Sequence, residues 1–138
     1  MRYAGIDFGL KRIGLAITDP GGKLAFPCKT IQKDDRNSFF SELIAVLNRE
    51  AVQAVVVGLP RDLRGQETLS TRQVQNFIQR LKRRTSLPVF TTDESLSSEE
   101  ARQRLLEAGV AMDKIRAVLD QESAVIILER FLREQGKT

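Results

Sequence analysis

The sequence predicts an α/β domain in which helices flank a mixed five-stranded sheet, with a three-strand antiparallel meander followed by two parallel strands. Three strand-like segments succeed one another within the first 31 residues, at spacings short enough for such a meander. Two further apolar segments alternate with helical patterns, which is typical of parallel strands joined by crossover helices. Because 138 residues is the size of one domain, we expect residues 1–138 to form a single unit.

The predicted meander occupies the N-terminal part of the chain. Residues 2–8 and 12–18 are short and mostly apolar, and the three residues between them suffice for a tight antiparallel connection. Residues 24–31 follow two consecutive glycines and have the same strand-like composition. We therefore predict three consecutive strands, each paired with the next.

The middle of the chain alternates helix and strand patterns. Apolar residues recur at helical spacing from Phe40 to Leu47, which predicts a first helix. Residues 54–59 are continuously apolar and rich in valine, as expected of a strand that is buried on both faces. Ser70 and Gln73 match a capping box, so the second helix should begin beside them.

The last third of the chain predicts one more strand and two helices. Residues 88–92 have the composition of a fifth strand. Ser97 and Glu100 form a second capping-box pattern, which begins a helix that should stop at Gly109. After a polar link, the final helix is predicted over residues 119–134.

The composition restricts both the chemistry and the location of the protein. The chain has no histidine and one cysteine, which excludes Ser-His-Asp and Cys-His hydrolases. Acid–base chemistry near neutral pH must then use carboxylates, lysine, tyrosine, the single cysteine or a metal-bound water. A net charge of +4 permits nucleic-acid binding without requiring it. No apolar run is long enough for a membrane span, and the N-terminal apolar segment is too short for a secretory signal, so we expect a cytoplasmic protein.

Three acidic residues lie where predicted elements end or begin. Asp7 lies among apolar residues at the end of the first strand, where an ionised carboxylate is costly to bury unless it is paired or binds a metal. Glu94 follows the last strand, and Asp120 begins the predicted final helix on its apolar side. Ordinary structural roles are also open, because Asp and Glu cap turns and helices and favour helix N-termini.

These acids suit metal-assisted hydrolysis if they come together. Should the first and last strands be parallel neighbours, Asp7 and Glu94 would emerge at the same edge of the sheet, where α/β proteins bind ligands. Asp120 would then be a third carboxylate directed at that edge. Carboxylates prefer cations such as Mg²⁺ or Mn²⁺, and two such ions can drive hydrolysis of a phosphodiester. We predict that all three residues are catalytic and bind metal, with Asp7 as the central ligand.

Basic residues near the predicted edge are candidates for contacts with the phosphates of a nucleic acid. Two follow shortly after Asp7, two lie in the polar loop after the central strand, and two precede Asp120. They are Lys11, Arg12, Arg61, Arg64, Lys114 and Arg116. Because aromatic residues are few, backbone contacts should dominate over base stacking, and binding should depend strongly on salt.

Four segments together resemble the YqgF/RuvX family. They are residues 5–16 (GIDFGLKRIGLA), 56–60 (VVGLP), 93–101 (DESLSSEEA) and 120–128 (DQESAVIIL), which follow the family's order and span nearly the whole chain. Each segment is short, but four in register are specific.

The resemblance implies a ribonuclease-H-like fold and a cytoplasmic bacterial nuclease that matures the 5′ end of pre-16S ribosomal RNA. The family's acidic positions fall on Asp7, Glu94 and Asp120. Two departures bear on substrate preference. Ser95 stands where the family usually has arginine, and the loop of residues 61–67 is richer in charge.

Three other functions stay open at this point. Family members have also been described as Holliday-junction resolvases, and cutting four-way DNA would favour a homodimer with two-fold symmetry. Residues 7–9 (Asp-Phe-Gly) also match the phosphate-binding hairpin of actin-like and sugar-kinase ATP-binding proteins, although those proteins need two lobes and this chain supplies one. The third possibility is a catalytically silent module that binds nucleic acid.

Overall fold

The computed structural model describes residues 1–34, 38–94 and 97–136, and it gives no side-chain surroundings for Ser97. Its elements follow the predicted order of three strands, helix, strand, helix, strand and two helices. They are β1 (Tyr3–Phe8), β2 (Arg12–Thr18), β3 (Ala25–Gln32), α1 (Phe39–Arg49), β4 (Ala54–Leu59), α2 (Leu69–Lys82), β5 (Val89–Asp93), α3 (Ser97–Glu107) and α4 (Met112–Glu134).

The five strands form one mixed sheet in the order β3-β2-β1-β4-β5. β1, β2 and β3 pair antiparallel, whereas β4 pairs parallel with both β1 and β5. The predicted fold class is therefore confirmed. The first and last strands are parallel but are not neighbours, because β4 lies between them; all six residues of β4 are buried, as a central strand requires.

The two faces of the sheet are covered by different helices. Alternate residues of β1, such as Ala4 and Ile6, pack with α1 and α2 in the larger apolar cluster. Tyr3 points to the opposite face, where α4 supplies Leu128 and Phe131 to the smaller cluster. Asp7 is four residues after Tyr3, and it therefore lies on the face that α4 covers.

α4 approaches the sheet closely because the strands beneath it carry glycine. A Cβ atom on Gly5 of β1 would lie 2.5 Å from Leu128 Cγ, and one on Gly58 of β4 would lie 2.5 Å from Ile127 Cδ1. On β2, a Cβ atom at Gly14 would lie only 2.0 Å from the backbone oxygen of Asp120. The helix backbone can therefore lie against β2 only while residue 14 has no side chain.

Two helix starts differ from the predictions. α4 begins at Met112 rather than at residue 119, because the polar link continues the helix and already buries Ile115. Asp120 consequently lies within α4 and is not its cap. α2 is capped by the Thr68–Thr71 pair rather than by Ser70 and Gln73, and the Thr71 hydroxyl also donates a hydrogen bond to the Pro60 carbonyl oxygen. α3 begins at Ser97, as the sequence predicted.

Among the described residues, three ion pairs link α3 to α4. Arg104 of α3 contacts Glu129 at 2.7 Å and Glu122 at 3.5 Å, and Arg130 of α4 contacts Glu100 at 3.6 Å. No helix within the described ranges is both long and apolar enough to cross a membrane.

Replacing Gly14 with alanine should destabilise the fold, because α4 would have to move away from β2. Overpacking of this kind lowers the free energy of unfolding by about 1–3 kcal/mol. Urea denaturation followed by circular dichroism measures the loss. Gly21→Ala is the matched control, since a Cβ atom there meets only the end of the Asp19 side chain, at 3.0 Å. Equal losses in the two variants would contradict the packing explanation.

Candidate active site

The candidate site is centred on Asp7, which lies between two glycines of neighbouring strands. Asp7 pairs with Gly14 of β2. On the other side Ile6 pairs with Val57, which places Gly58 of β4 next to Asp7. Because glycine has no side chain, the two neighbouring strands leave room around the Asp7 carboxylate on the face covered by α4.

Glu94 and Asp120 enter this room from opposite sides. Glu94 follows β5 and lies over Gly58, where an added Cβ atom would be 3.0 Å from its Oε2 atom. Asp120 lies over Gly14 from α4. The three acids predicted from the sequence therefore gather at one edge of the sheet, beyond the carboxyl ends of the parallel strands.

The electrostatics of Asp7 reflect this crowding. Burial, which disfavours the ionised form, raises the pKa of Asp7 from 3.8 to about 6. A side-chain hydrogen bond with Glu94 acts in the opposite direction, and the negative charge of Asp120 raises the pKa further. The site therefore concentrates negative charge where solvation is poor, which is an environment that a bound cation would stabilise.

Arg12 supplies one positive charge to the site. Its Nε atom donates a hydrogen bond of 2.8 Å to Oδ2 of Asp120, and both side chains are largely shielded from solvent. Arg12 was predicted to contact nucleic acid, and this ion pair gives it a contact within the protein. Asp120 is thereby held toward the first residue of β2.

The donor set suits a divalent cation, although the carboxylates are not already arranged around one. Within the described ranges, no three acidic or cysteine side chains form a ready metal cage. Asp7 shares a hydrogen bond with Glu94, and Asp120 is held by Arg12. Metal binding would replace these contacts with oxygen–metal contacts, which hard cations such as Mg²⁺ and Mn²⁺ prefer. The residues therefore fit the predicted metal in chemistry.

The other predicted phosphate contacts lie in segments around the carboxylates. Lys11 is in the β1–β2 turn, Arg61 and Arg64 are in the loop after β4, and Lys114 and Arg116 are in the first turns of α4. Arg116 lines a cavity of about 460 Å³ together with Arg12 and Arg102. Their contacts with nucleic acid stay predictions. Ser95 lies outside the described residues.

A second cavity, of about 390 Å³, lies beside Glu94 between the β1–β2 turn and α2. Lys33 and Arg80 line it, and neither was selected from the sequence. Lys33 follows β3 and Arg80 lies near the end of α2, so no linear pattern connects them. In the sequence, only Lys11 and Arg12, which follow Asp7, indicated that this end of the sheet carries positive charge.

The order and directions of the five strands define a domain of the ribonuclease-H-like class. A family model described as "RuvX: Holliday junction resolvase" matches residues 1–134, and the chain belongs to this family. Resolvases and nucleases of the family generally use divalent metal ions.

Relatives with assigned names are similar over nearly the whole chain. One from Nitratidesulfovibrio vulgaris strain DP4 is 52% identical over 132 residues, covering 96% of this chain and 93% of that relative. One from Koribacter versatilis is 35% identical over 135 residues, covering 98% of this chain and 88% of that relative. Both carry the name "Putative pre-16S rRNA nuclease".

Solved structures share the fold at low sequence identity. RuvC from T. thermophilus, in complex with a Holliday junction substrate, has a TM-score of 0.54 at 15% identity and covers 99% of this chain and 98% of its own. The Fowlpox virus resolvase, in complex with Holliday junction DNA, has a TM-score of 0.58 at 13% identity. The match covers 98% of this chain and 99% of the resolvase chain. At these identities the likeness establishes the fold alone.

Replacing Asp7 with asparagine should stabilise the metal-free protein at pH 7. An acid whose pKa is higher in the folded state adds stability below its unfolded pKa and loses it as the pH rises through the folded value. For Asp7 this loss falls between about 3.8 and about 6. The variant should therefore exceed the wild type by up to about 3 kcal/mol in urea denaturation at pH 7 with EDTA.

Asp19→Asn is the control of opposite sign. Backbone N–H groups of Leu24, Lys23 and Gly21 hold the pKa of Asp19 below its usual value, so removing this charge should destabilise the protein at pH 7. If Asp7→Asn were less stable than the wild type under these conditions, the buried charge would not be a source of instability.

Proposed function

We propose that this chain is a metal-dependent endonuclease that hydrolyses phosphodiester bonds in structured RNA, in the 5′-end maturation of pre-16S ribosomal RNA in the cytoplasm. The observation that carries the proposal is the meeting of Asp7, Glu94 and Asp120 at one edge of the sheet. The relatives' name supports the RNA substrate, and membership of the family supports phosphodiester chemistry.

In this proposal Asp7, Glu94 and Asp120 would hold Mg²⁺ or Mn²⁺, with Asp7 as the central ligand. When bound, two such ions would activate a water and stabilise the departing oxygen of the phosphodiester. β1 fixes Asp7 in a rigid strand, and α4 limits the access of bulk water to its carboxylate. The arginines and lysines around the site hold the neighbouring phosphates and orient the substrate strand.

A second candidate function is the resolution of four-way DNA. It is favoured by the family's description as a Holliday junction resolvase and by the two junction-bound proteins that share the fold. The same carboxylates would act on either substrate. Paired cuts in a junction need two sites related by two-fold symmetry, so a stable homodimer in light scattering would favour this function.

Asp7→Asn, Glu94→Gln and Asp120→Asn should each abolish metal-dependent cleavage. We expect losses on the order of 10³-fold or more, equivalent to about 4 kcal/mol of transition-state stabilisation, because each change removes a charged ligand from the reacting centre. Cleavage of a pre-16S RNA fragment and of a four-way DNA junction, with Mg²⁺ and with Mn²⁺, measures the effect.

Glu122→Gln is the matched control for Asp120→Asn. Glu122 lies two residues further along α4, and it contacts Arg104 at 3.5 Å instead of the site. Its replacement should leave cleavage within about twofold, because Glu122 forms its ion pair with α3 and not with the three acids. Cleavage that survives Asp7→Asn unchanged would refute the proposed mechanism, and cleavage of DNA alone would transfer the proposal to the junction substrate.

Arg12→Gln should increase the affinity for metal. The ion pair with Arg12 competes with a cation for Asp120, and partly exposed pairs of this kind contribute about 0.5–1 kcal/mol. The concentration of Mn²⁺ that half-saturates the protein in calorimetry should therefore fall about two- to fivefold. Arg116→Gln is the control, because Arg116 lines the same cavity as Arg12. Unchanged or weaker binding in Arg12→Gln would show that no competition occurs.

A further inference from the structure

The cavity beside Glu94 shares that residue with the candidate active site. It is bounded by the β1–β2 turn on one side and by α2 on the other, on the face of the sheet opposite α4, and Glu94 forms part of its wall. A strand whose phosphate reached Glu94 at the edge of the sheet would therefore pass the mouth of this cavity. We propose that the cavity receives one unpaired nucleotide of the substrate RNA, adjacent to the phosphate that is cut; this inference rests on the proposed function.

Two cations in the cavity suit a phosphate group. Lys33 donates a hydrogen bond of 2.8 Å to the Gly9 carbonyl oxygen, and its Nζ lies 3.8 Å from the centre of the Phe8 ring. The Arg80 guanidinium lies 5.1 Å from the centre of the Phe40 ring. In the described part of the chain neither cation forms an ion pair with an acidic side chain. Aromatic rings and a carbonyl hold them in place, so their charge is available to an anion.

The two positive charges are close enough to influence each other. Burial is the first cause that lowers the pKa of Lys33, and the charge of Arg80 lowers it further. An anion bound between the two groups would relieve this repulsion. A phosphate offers several acceptor oxygens, and the planar guanidinium of arginine matches them in geometry.

The remaining walls suit a nucleobase. Phe8 and Phe77 stack at 4.2 Å between ring centres, and with Val74 they give the cavity an apolar side. An unpaired base presents a flat apolar face and a polar edge, and proteins that read single-stranded RNA contact both. The cavity therefore contains surfaces for the two chemically distinct parts of the base.

The polar side of the cavity comes from one face of α2. Ser70, Gln73 and Asn76 follow one another at a spacing of three residues, which places them in a row along the helix. Because Thr68 and Thr71 cap α2, Ser70 and Gln73 are not needed for capping. Their hydroxyl and amide groups can both donate and accept hydrogen bonds, as the edge of a base requires.

The size of the cavity favours an unpaired nucleotide over a paired one. Its volume of about 390 Å³ is near the lower end of the roughly 300–1,000 Å³ typical of small-ligand sites. A base that stays stacked within a duplex cannot enter a pocket of this kind unless it leaves the helix, which costs unstacking energy. A looped or bulged nucleotide enters without this penalty.

Binding of two labelled RNA hairpins without metal tests this inference. The hairpins have the same stem, and one has a single bulged nucleotide. In fluorescence anisotropy with EDTA, the wild-type protein should bind the bulged hairpin about tenfold more tightly, in the range expected for one base held on an apolar wall. Arg80→Gln and Asn76→Ala should each reduce this preference to less than about threefold.

Two neighbouring substitutions are matched controls. Arg84 also lies over the Phe40 ring, at 4.1 Å, but it does not line the cavity, and Gln79 is exposed outside the cavity on the same helix. Arg84→Gln and Gln79→Ala should keep the preference. Equal binding of the two hairpins by the wild type, or an equal loss in Arg84→Gln and Arg80→Gln, would overturn the inference.

Cleavage is scored separately by adding Mn²⁺ to the same samples. A preference for the bulged hairpin that depends on Arg80 and Asn76, without any cleavage, would support the nucleotide site and contradict the nuclease proposal. Cleavage that depends on Asp7 but ignores the bulge would support the nuclease and contradict the nucleotide site. The two proposals can therefore fail independently.

Discussion

The close approach of α4 to the sheet is the constraint on which the candidate site depends. The backbone of α4 lies so near β2 that residue 14 can have no side chain, and Gly58 leaves similar room on β4. Asp7 lies between these two glycines, so the packing that completes the smaller apolar cluster also creates the space for the acids. Asp120 lies inside α4, with helical turns before and after it, so the packing of the helix against the sheet holds its side chain at this space.

The site combines groups that destabilise one another in the absence of metal. Burial and the charge of Asp120 both raise the pKa of Asp7, and Arg12 offsets only the charge on Asp120. Such an arrangement persists because the two apolar clusters hold the strands and α4 in place. It is the arrangement expected where stability is given up for function. In the proposed function, the cation would bring the positive charge that balances the three acids of the site.

Much of the fold was predictable because hydrophobic periodicity is a local property of the sequence. The segments 12–18 and 54–59 are strands with the predicted bounds, and the order of elements is as predicted. The start of α4 was not predictable in this way. Its first turns mix charged residues with apolar ones without a clear helical period, and Ile115 is buried there by tertiary contacts that no local pattern records. The position of β4 between the first and last strands likewise depends on pairing between distant segments.

The candidate acids could be chosen from the sequence, because Asp7 interrupts an apolar strand, Glu94 follows the last strand and Asp120 lies on the apolar side of a helix. The surroundings of these acids depend on the tertiary structure. The register that places Gly14 and Gly58 beside Asp7, and the ion pair that draws Arg12 to α4, depend on strand pairing and on how a helix crosses the sheet. The cavity that contains Lys33 likewise could not be predicted from the sequence. A periodic pattern indicates which face of an element is buried, but not which distant residues meet there.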